Sequence, residues 1–273
     1  MSKAPRDDQE KVEVIMDRAR PPSVPRRSDR MPVWKTMQYT LDISSRFLLR
    51  LLVGKATVDA ADRLIDGYWR RIFRSGNAVL QVAGRRYFEP GQAYVIMSNH
   101  SSLLDIPALM GAVPGSMRMV MKEELSRVPV WGQALVASGF VAIDRKNRDK
   151  AIGQLEKAKR MLGKGVSIWI SPEGTRSRTG KLAPFKKGGF HVATQLGIPI
   201  IPAWIEGASE IVPPDQFRVI YDGTCTVRFG APIATEGVTP EQLPSLMGEV
   251  RQAILGLSGR AAEVDGEALR RAA

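Results

Sequence analysis

A histidine and an aspartate five positions apart are the residues of this chain best suited to proton transfer. His100 and Asp105 lie in the segment 99–105, which directly follows an apolar run. A neutral imidazole can take a proton from an alcohol near pH 7, and a carboxylate on its second ring nitrogen fixes the tautomer and stabilises the imidazolium that forms. On a continuous helix the two side chains would point about 140° apart. They therefore meet only if His100 precedes a helix for which Ser101 or Ser102 is the N-cap.

Two further polar segments carry groups that suit a phosphate. Gly174 lets the backbone approach a ligand closely, while Thr175 adds a hydroxyl and Arg176 a planar guanidinium that matches phosphate oxygens. Arg145, which follows another apolar run, offers a second guanidinium. Glu173 is expected to hold an arginine or a substrate hydroxyl. Together these residues predict proton abstraction next to a bound phosphate.

The composition indicates a cytosol-facing globular protein with an anionic partner. The chain has 273 residues, 44% of them hydrophobic, and its 40 Lys and Arg exceed its 28 Asp and Glu, for a net charge of +12. Such a surplus indicates anionic lipid headgroups or nucleic acid as the partner, with a solvated basic surface as the alternative. The single cysteine, Cys225, cannot form an intrachain disulfide, and two histidines without clustered carboxylates predict no metal site.

Four regions are predicted along the chain. Residues 1–32 are interpreted as a disordered, basic and proline-rich tail, residues 33–75 as two amphipathic helices, residues 76–258 as an α/β domain and residues 259–273 as a second tail. The two helices form either a membrane-contacting hairpin or an ordinary pair packed on the domain. We expect no secretory signal and no membrane-spanning segment, since no apolar run approaches about 20 residues.

Strand-like and helix-like segments alternate from residue 78 onward, which predicts an α/β fold with a mostly parallel sheet flanked by helices. Strands are predicted at 79–82, 94–97, 118–121, 140–143, 166–170, 198–205 and within 217–229, and helices at 102–111, 148–163, 188–196 and after a capping Thr239. Ligands of open α/β sheets bind beyond the carboxyl ends of the strands. The polar segments each follow a strand, so we expect them to converge at one edge of the sheet.

The ordered motifs resemble those of the glycerophospholipid acyltransferases, specifically the 1-acyl-sn-glycerol-3-phosphate acyltransferases. The resemblance covers residues 79–205 and rests on the segments 99–105, 139–145, 172–177 and 198–202, together with the element 122–125. Two positions depart from the family pattern. Ser101 stands where glutamine is frequent, and Ser171 where phenylalanine is frequent. The first two helices also resemble the membrane-contacting hairpin of some bacterial members.

The resemblance implies a direct acyl transfer. His100, oriented by Asp105, would deprotonate the sn-2 hydroxyl of lysophosphatidic acid, and the oxygen would attack the thioester of acyl-CoA or acyl-carrier protein without an acyl-enzyme intermediate. Lys122 or nearby backbone N–H groups would stabilise the oxyanion, and Arg145 and Arg176 would hold the phosphate. The implied product is phosphatidic acid, and no cofactor is implied.

The implied location is the cytoplasmic face of the inner or plasma membrane, where the protein would lie peripherally on an anionic surface and bind no nucleic acid. Two alternatives remain. One is acyl transfer to another lysolipid, such as a lyso-ornithine lipid. The other is a basic protein without catalytic activity that binds membranes or nucleic acid, although no nucleic-acid-binding module is visible in the sequence.

Overall fold

The computed structural model describes residues 12–18, 30–53, 55, 57–143, 163–214, 218–220 and 222–259. The strands in these ranges are β1 (Glu13–Met16), β2 (Arg30–Pro32), β3 (Val79–Ala83), β4 (Val95–Ser98), β5 (Met117–Lys122), β6 (Val141–Ile143), β7 (Ser167–Ile170), β8 (Ile200–Glu206), β9 (Arg218–Ile220) and β10 (Thr224–Phe229). The helices are α1 (Val33–Leu52), α2 (Val58–Ser75), α3 (Asp105–Ala112), α4 (Glu123–Ser126), α5 (Trp131–Ala137), α6 (Lys187–Leu196), α7 (Ala208–Ile211) and α8 (Leu243–Leu257).

Eight of the described strands form one mixed sheet in the order β1-β3-β10-β8-β4-β7-β5-β6. The pairs β1–β3 and β10–β8 are antiparallel, and the other five pairs are parallel. The strands β4, β5, β6, β7 and β8 therefore all end at the same edge of the sheet. This α/β sheet with flanking helices is the predicted fold class, and its shared edge is where ligands bind in such folds.

Strand β4, which leads to His100, is buried on both faces. Ile96 joins an apolar cluster with Phe73 of α2 and Leu109 of α3, whereas Val95 and Met97 join a second cluster with α6 and α8. Successive side chains of a strand point to opposite faces, so a strand covered by helices on both sides must be apolar throughout. This double burial fixes the position from which residues 99–105 leave the sheet.

The helices α1 and α2 occupy the range that the sequence predicted to be helical. Trp69, Ile72 and Phe73 of α2 are buried against the domain, while Leu49 and Leu52 of α1 are 62% and 81% exposed. Both helices contact the domain, α1 through α5 and α2 through α3, and Phe47 of α1 is buried. The last turn of α1 presents apolar side chains to solvent. No helix within the described ranges is long and apolar enough to cross a membrane.

The predicted disordered tail over residues 1–32 is wrong for Glu13–Met16, which form the edge strand β1, and for Arg30–Pro32, which form β2 and pair with β9. Met16 pairs with Leu80 of β3 and buries its side chain in the cluster around Phe73. Burial of the Met16 side chain stabilises this strand although the flanking residues are mostly polar. Residues 1–11, 19–29 and 260–273 lie outside the described residues, as do residues 148–162 of a predicted helix.

The last helix begins later than the capping pattern predicted. The Thr239 N–H does donate to Gln242 Oε1 at 2.9 Å, as in a capping box, but this bond closes a turn. The helix itself runs over Leu243–Leu257, with Pro244 in its first turn. Backbone N–H groups in the first turn of a helix have no carbonyl partner within the helix. Proline, which has no N–H, therefore loses no hydrogen bond there and favours a helix start.

Candidate active site

The side chains of His100 and Asp105 meet directly beyond the end of β4. His100 Nδ1 and Asp105 Oδ2 lie 2.8 Å apart, and the same oxygen accepts the N–H groups of Ser101 at 2.7 Å and Ser102 at 2.8 Å. The predicted serine N-cap is therefore wrong: α3 begins at Asp105, whose carboxylate reaches back over the preceding turn. Because Oδ2 is an acceptor, Nδ1 carries the proton and Nε2 is the basic nitrogen.

The imidazole is mostly buried and is held in place by its neighbours. Its side chain is 15% exposed, whereas the Asp105 side chain is completely buried. The ring packs edge-on against Trp169 of β7, with 5.2 Å between centroids, and Trp169 Nε1 donates to Ser98 Oγ at 3.0 Å. Asn99 continues the β4–β8 pairing through its side-chain amide, which exchanges two hydrogen bonds of 2.8 Å with the backbone of Ile205.

Glu173 takes a different position from the one predicted. The sequence predicted a contact to an arginine or a substrate hydroxyl. In the structure the residue is 2% exposed, and its two oxygens accept the backbone N–H groups of His100 at 3.0 Å and Ala183 at 2.8 Å. Burial raises the pKa of the Glu173 carboxyl, and these two hydrogen bonds act in the opposite direction. Glu173 therefore belongs to the scaffold around His100.

The other predicted residues that the structure describes lie on the same edge without joining this cluster. Gly174, at φ +73°, opens the turn that leads to the exposed Thr175 and Arg176, and Arg176 Nη1 donates to the Pro214 carbonyl at 3.2 Å. Lys122 is exposed at the carboxyl end of β5. No hydrogen bond within the described ranges joins Lys122 or Arg176 to His100. Arg145 lies outside the described residues.

One cation that the sequence reasoning missed lies against the turn at Gly174. A Cβ atom on Gly174 would be 2.9 Å from Cδ and 3.1 Å from Nζ of Lys186, so the lysine side chain lies directly over the glycine. The Lys186 N–H also donates to the Pro172 carbonyl at 2.8 Å. The sequence did contain a signal for this cation: residues 186–189 are two lysines followed by two glycines at the start of a helix, a pattern that favours anion binding.

This geometry can support general base catalysis by Nε2 of His100, with the charge of the imidazolium balanced by Asp105. No group of three or more His, Cys, Asp or Glu side chains suitable for a metal ion lies among the residues that the structure describes. Cys225 is buried beneath this region, and burial together with the charge of Asp105 raises the pKa of its thiol well above the usual value.

Comparisons with known proteins agree with the fold and with the motifs. Residues 79–206 match the family model described as Acyltransferase. The chain is 37% identical over 177 residues to the 1-acyl-sn-glycerol-3-phosphate acyltransferases alpha of Mus musculus and Homo sapiens, which is 64% of this chain and 62% of each relative. It is also 37% identical over 161 residues to the 1-acyl-sn-glycerol-3-phosphate acyltransferase of Saccharomyces cerevisiae, covering 53% of that protein. The chain thus spans less than two thirds of the length of these relatives.

A solved structure shares the fold. The crystal structure of the 1-acyl-sn-glycerophosphate (LPA) acyltransferase PlsC from Thermotoga maritima matches with a TM-score of 0.62 and 24% sequence identity. The match covers 84% of this chain and 97% of the other. This likeness shows the fold, while the resemblance predicted from the ordered motifs is confirmed by the family model and by the relatives of 37% identity.

Proposed function

We infer that this chain, whose residues 79–206 match the acyltransferase family model, transfers an acyl group from a thioester to the sn-2 hydroxyl of lysophosphatidic acid, giving phosphatidic acid. The observation that carries this proposal is the 2.8 Å contact between His100 Nδ1 and Asp105 Oδ2 at the carboxyl edge of the sheet. The reaction named for the mouse, human and yeast relatives supports it. An alcohol is a weak nucleophile at neutral pH, so a transfer of this kind needs a positioned base.

The proposed reaction proceeds by direct attack. Nε2 of His100 takes the proton of the acceptor hydroxyl while the hydroxyl oxygen forms a bond to the thioester carbonyl carbon. The tetrahedral intermediate then collapses, the carbon–sulfur bond breaks, and the imidazolium returns the proton to the departing thiolate. Asp105 stabilises the imidazolium throughout, and no acyl-enzyme is formed. The step requires no cofactor beyond the acyl donor.

Basic residues are proposed to bind the acceptor phosphate. Arg176 and Arg145 would supply guanidinium groups, and Lys186, which lies over Gly174, a third positive charge. The Thr175 hydroxyl and the Gly174 backbone would complete the contact. Lys122, at the end of β5, or backbone N–H groups after β7 would stabilise the oxyanion.

The donor is proposed to be acyl-CoA or acyl-carrier protein, and the reaction is proposed to take place on a membrane. Lysophosphatidic acid and phosphatidic acid are membrane lipids, and the exposed leucines of α1 offer an apolar surface for such contact. The proposed location is the cytoplasmic face of the inner or plasma membrane, with the protein bound peripherally and no nucleic acid as partner.

The test is thioester consumption by the purified protein with lysophosphatidic acid and with phosphate-free lysolipids, side by side. We expect lysophosphatidic acid to react fastest, and His100→Ala to lower kcat by at least about 10³-fold while leaving the protein folded. His191→Ala is the matched control, because this second histidine is exposed on α6. An active His100→Ala protein would exclude the histidine as the base. Faster reaction of a phosphate-free lysolipid would assign a different acceptor.

A further inference from the structure

The backbone of His100 is held from both sides by residues that follow β7. Glu173 Oε1 accepts the His100 N–H at 3.0 Å, and the Ser177 N–H donates to the His100 carbonyl at 2.7 Å. General base catalysis depends on the position of the ring relative to the hydroxyl, and a displacement of about 1 Å can cost about 10²-fold in rate. The location of the Glu173 carboxylate therefore bears directly on the reactivity that we propose for His100.

The Glu173 carboxylate is in turn anchored by one peptide group. Its Oε2 accepts the Ala183 N–H at 2.8 Å, and the carbonyl of the same peptide, that of Leu182, accepts Arg251 Nη2 at 3.0 Å. Arg251 Nη1 also donates to the Ala183 carbonyl at 2.9 Å, and the guanidinium lies 5.3 Å from the centroid of the Phe185 ring. Arg251 belongs to α8, the last helix of the domain.

The electrostatics of this arrangement are cooperative. A cation binds the carbonyl of the Leu182–Ala183 peptide while an anion binds its N–H, so both charges are aligned with the peptide dipole. Each hydrogen bond polarises the next in such a chain, and a low-dielectric surrounding strengthens the effect. The Glu173 carboxylate is buried, so water cannot replace these contacts without a large displacement.

We propose that Arg251 and Glu173 form a positioning relay that runs from α8 through the Leu182–Ala183 peptide to the backbone of His100. The proposal rests on the role of His100 as general base. Neither residue contacts the reacting atoms. Arg251 lies outside the region that matches the family model, so the motifs do not point to it. The relay makes the last helix a determinant of the rate and not only of stability.

The relay predicts a specific pattern in steady-state kinetics. In Glu173→Gln an NH2 group faces the N–H of either His100 or Ala183, so one of the two hydrogen bonds is lost. This variant should lower kcat about 100-fold, while the KM for lysophosphatidic acid stays within about threefold of the original value. Arg251→Gln should lower kcat about tenfold, since the carboxylate remains but its anchor is weakened. Because Arg251 acts through Glu173, the double variant should be no slower than Glu173→Gln alone, within about twofold.

Controls and an independent readout complete the experiment. Arg228→Gln, which breaks the partly exposed ion pair with Glu206, is the matched control and should retain full activity. If Arg251→Gln does not fold, Arg251→Lys retains the charge and should lower kcat by a smaller factor. The amide proton of His100, which bonds to a carboxylate, should move upfield in the NMR spectrum of Glu173→Gln and move less in that of Arg251→Gln or Arg251→Lys.

Three results would overturn the relay. One is a raised KM for lysophosphatidic acid with unchanged kcat in Glu173→Gln, because Glu173 would then bind substrate. Another is a multiplicative loss in the double variant, which would make the two residues independent. The third is a His100 amide resonance that has the same chemical shift in Glu173→Gln and in the Arg251 variants as in the original protein. A protein inactive with every lysolipid would contradict the proposed function, while the amide resonance would still test the relay.

Discussion

Glu173 carries a negative charge that the fold keeps away from water, and this has a measurable consequence. Burial raises the pKa of its carboxyl relative to the unfolded chain. Between the ordinary and the raised pKa, the folded protein holds a proton that the unfolded chain releases. The free energy of unfolding must therefore fall as the pH rises through this interval. A carboxylate whose pKa is lowered by a salt bridge has the opposite effect, because the free energy of unfolding then rises with pH.

Substitution isolates this contribution. Urea denaturation of the original protein and of Glu173→Gln should be compared at several pH values from about pH 4 upward, where glutamate begins to ionise. We expect the stability of the original protein relative to the variant to decrease as the pH rises, because only the original has the buried carboxyl to ionise. A difference that stays constant across this range would contradict the assignment of the raised pKa to Glu173.

Among the residues of the site, the position of Asp105 could be predicted from the sequence, whereas that of Glu173 could not. The spacing of His100 and Asp105 allowed a contact only if His100 preceded a helix start, and it was the neighbouring motifs that pointed to this pair. The structure has that arrangement, although the predicted serine N-cap is not part of it. The role of Glu173 could not be predicted, because its two donors, on His100 and Ala183, come from separate segments of the chain. Only the folded backbone brings those N–H groups to one carboxylate.

At the scale of elements, α2 is attached to the sheet by a buried charge. Arg118 of β5 has a completely buried side chain, and its Nη1 donates to Asp62 Oδ1 of α2 at 2.6 Å. Its Nε donates to the carbonyl of Ser138, the residue directly after α5, at 2.7 Å. One guanidinium thus connects α2 to the end of α5, so the ion pair contributes to the attachment of the N-terminal helices to the domain.

Removal of the carboxylate should leave this cation without a counter-charge. We expect Asp62→Asn to lower the free energy of unfolding by about 3 kcal/mol, because the buried guanidinium cannot regain its hydration. Asp59→Asn is the matched control on the same helix, where an exposed aspartate in the first turn contributes at most about 1 kcal/mol. The free energy of unfolding of both variants is measured by denaturant unfolding. An equal decrease in the two would show that the Asp62–Arg118 ion pair stabilises the fold no more than the exposed Asp59 does.

Elements were predicted well where the apolar pattern was continuous and poorly where a few residues decided the outcome. The runs that became β4, β7 and β8 are apolar on both faces, so their sequence marks them as central strands. Glu13–Met16 were missed because an edge strand buries little besides Met16. The start of α8 was misplaced because Thr239 and Gln242 make their predicted bond in a turn that precedes the helix.

On the scale of the whole molecule, the positive charge and the exposed leucines have separate roles in the proposed membrane contact. The net charge of +12 attracts the protein to anionic lipids over distances set by the ionic strength. Leu49, Leu52 and Val53, at the end of α1, are 62%, 81% and 65% exposed and can enter the acyl boundary only after that approach. Binding should therefore have one component that salt weakens and one that salt leaves intact.

Vesicle binding can separate the two components. We expect the protein to bind vesicles that contain phosphatidylglycerol and to lose affinity as salt is raised, while retaining weaker binding above the concentration that screens its charge. Replacing Leu49 and Leu52 by serine should lower this salt-resistant binding at least about tenfold, since each buried leucine side chain contributes about 2 kcal/mol. Val14→Ser is the matched control, because Val14 is 55% exposed on the edge strand β1. Unchanged binding of the double variant at high salt would mean that α1 does not enter the bilayer, and that the headgroup charges alone hold the protein on the surface.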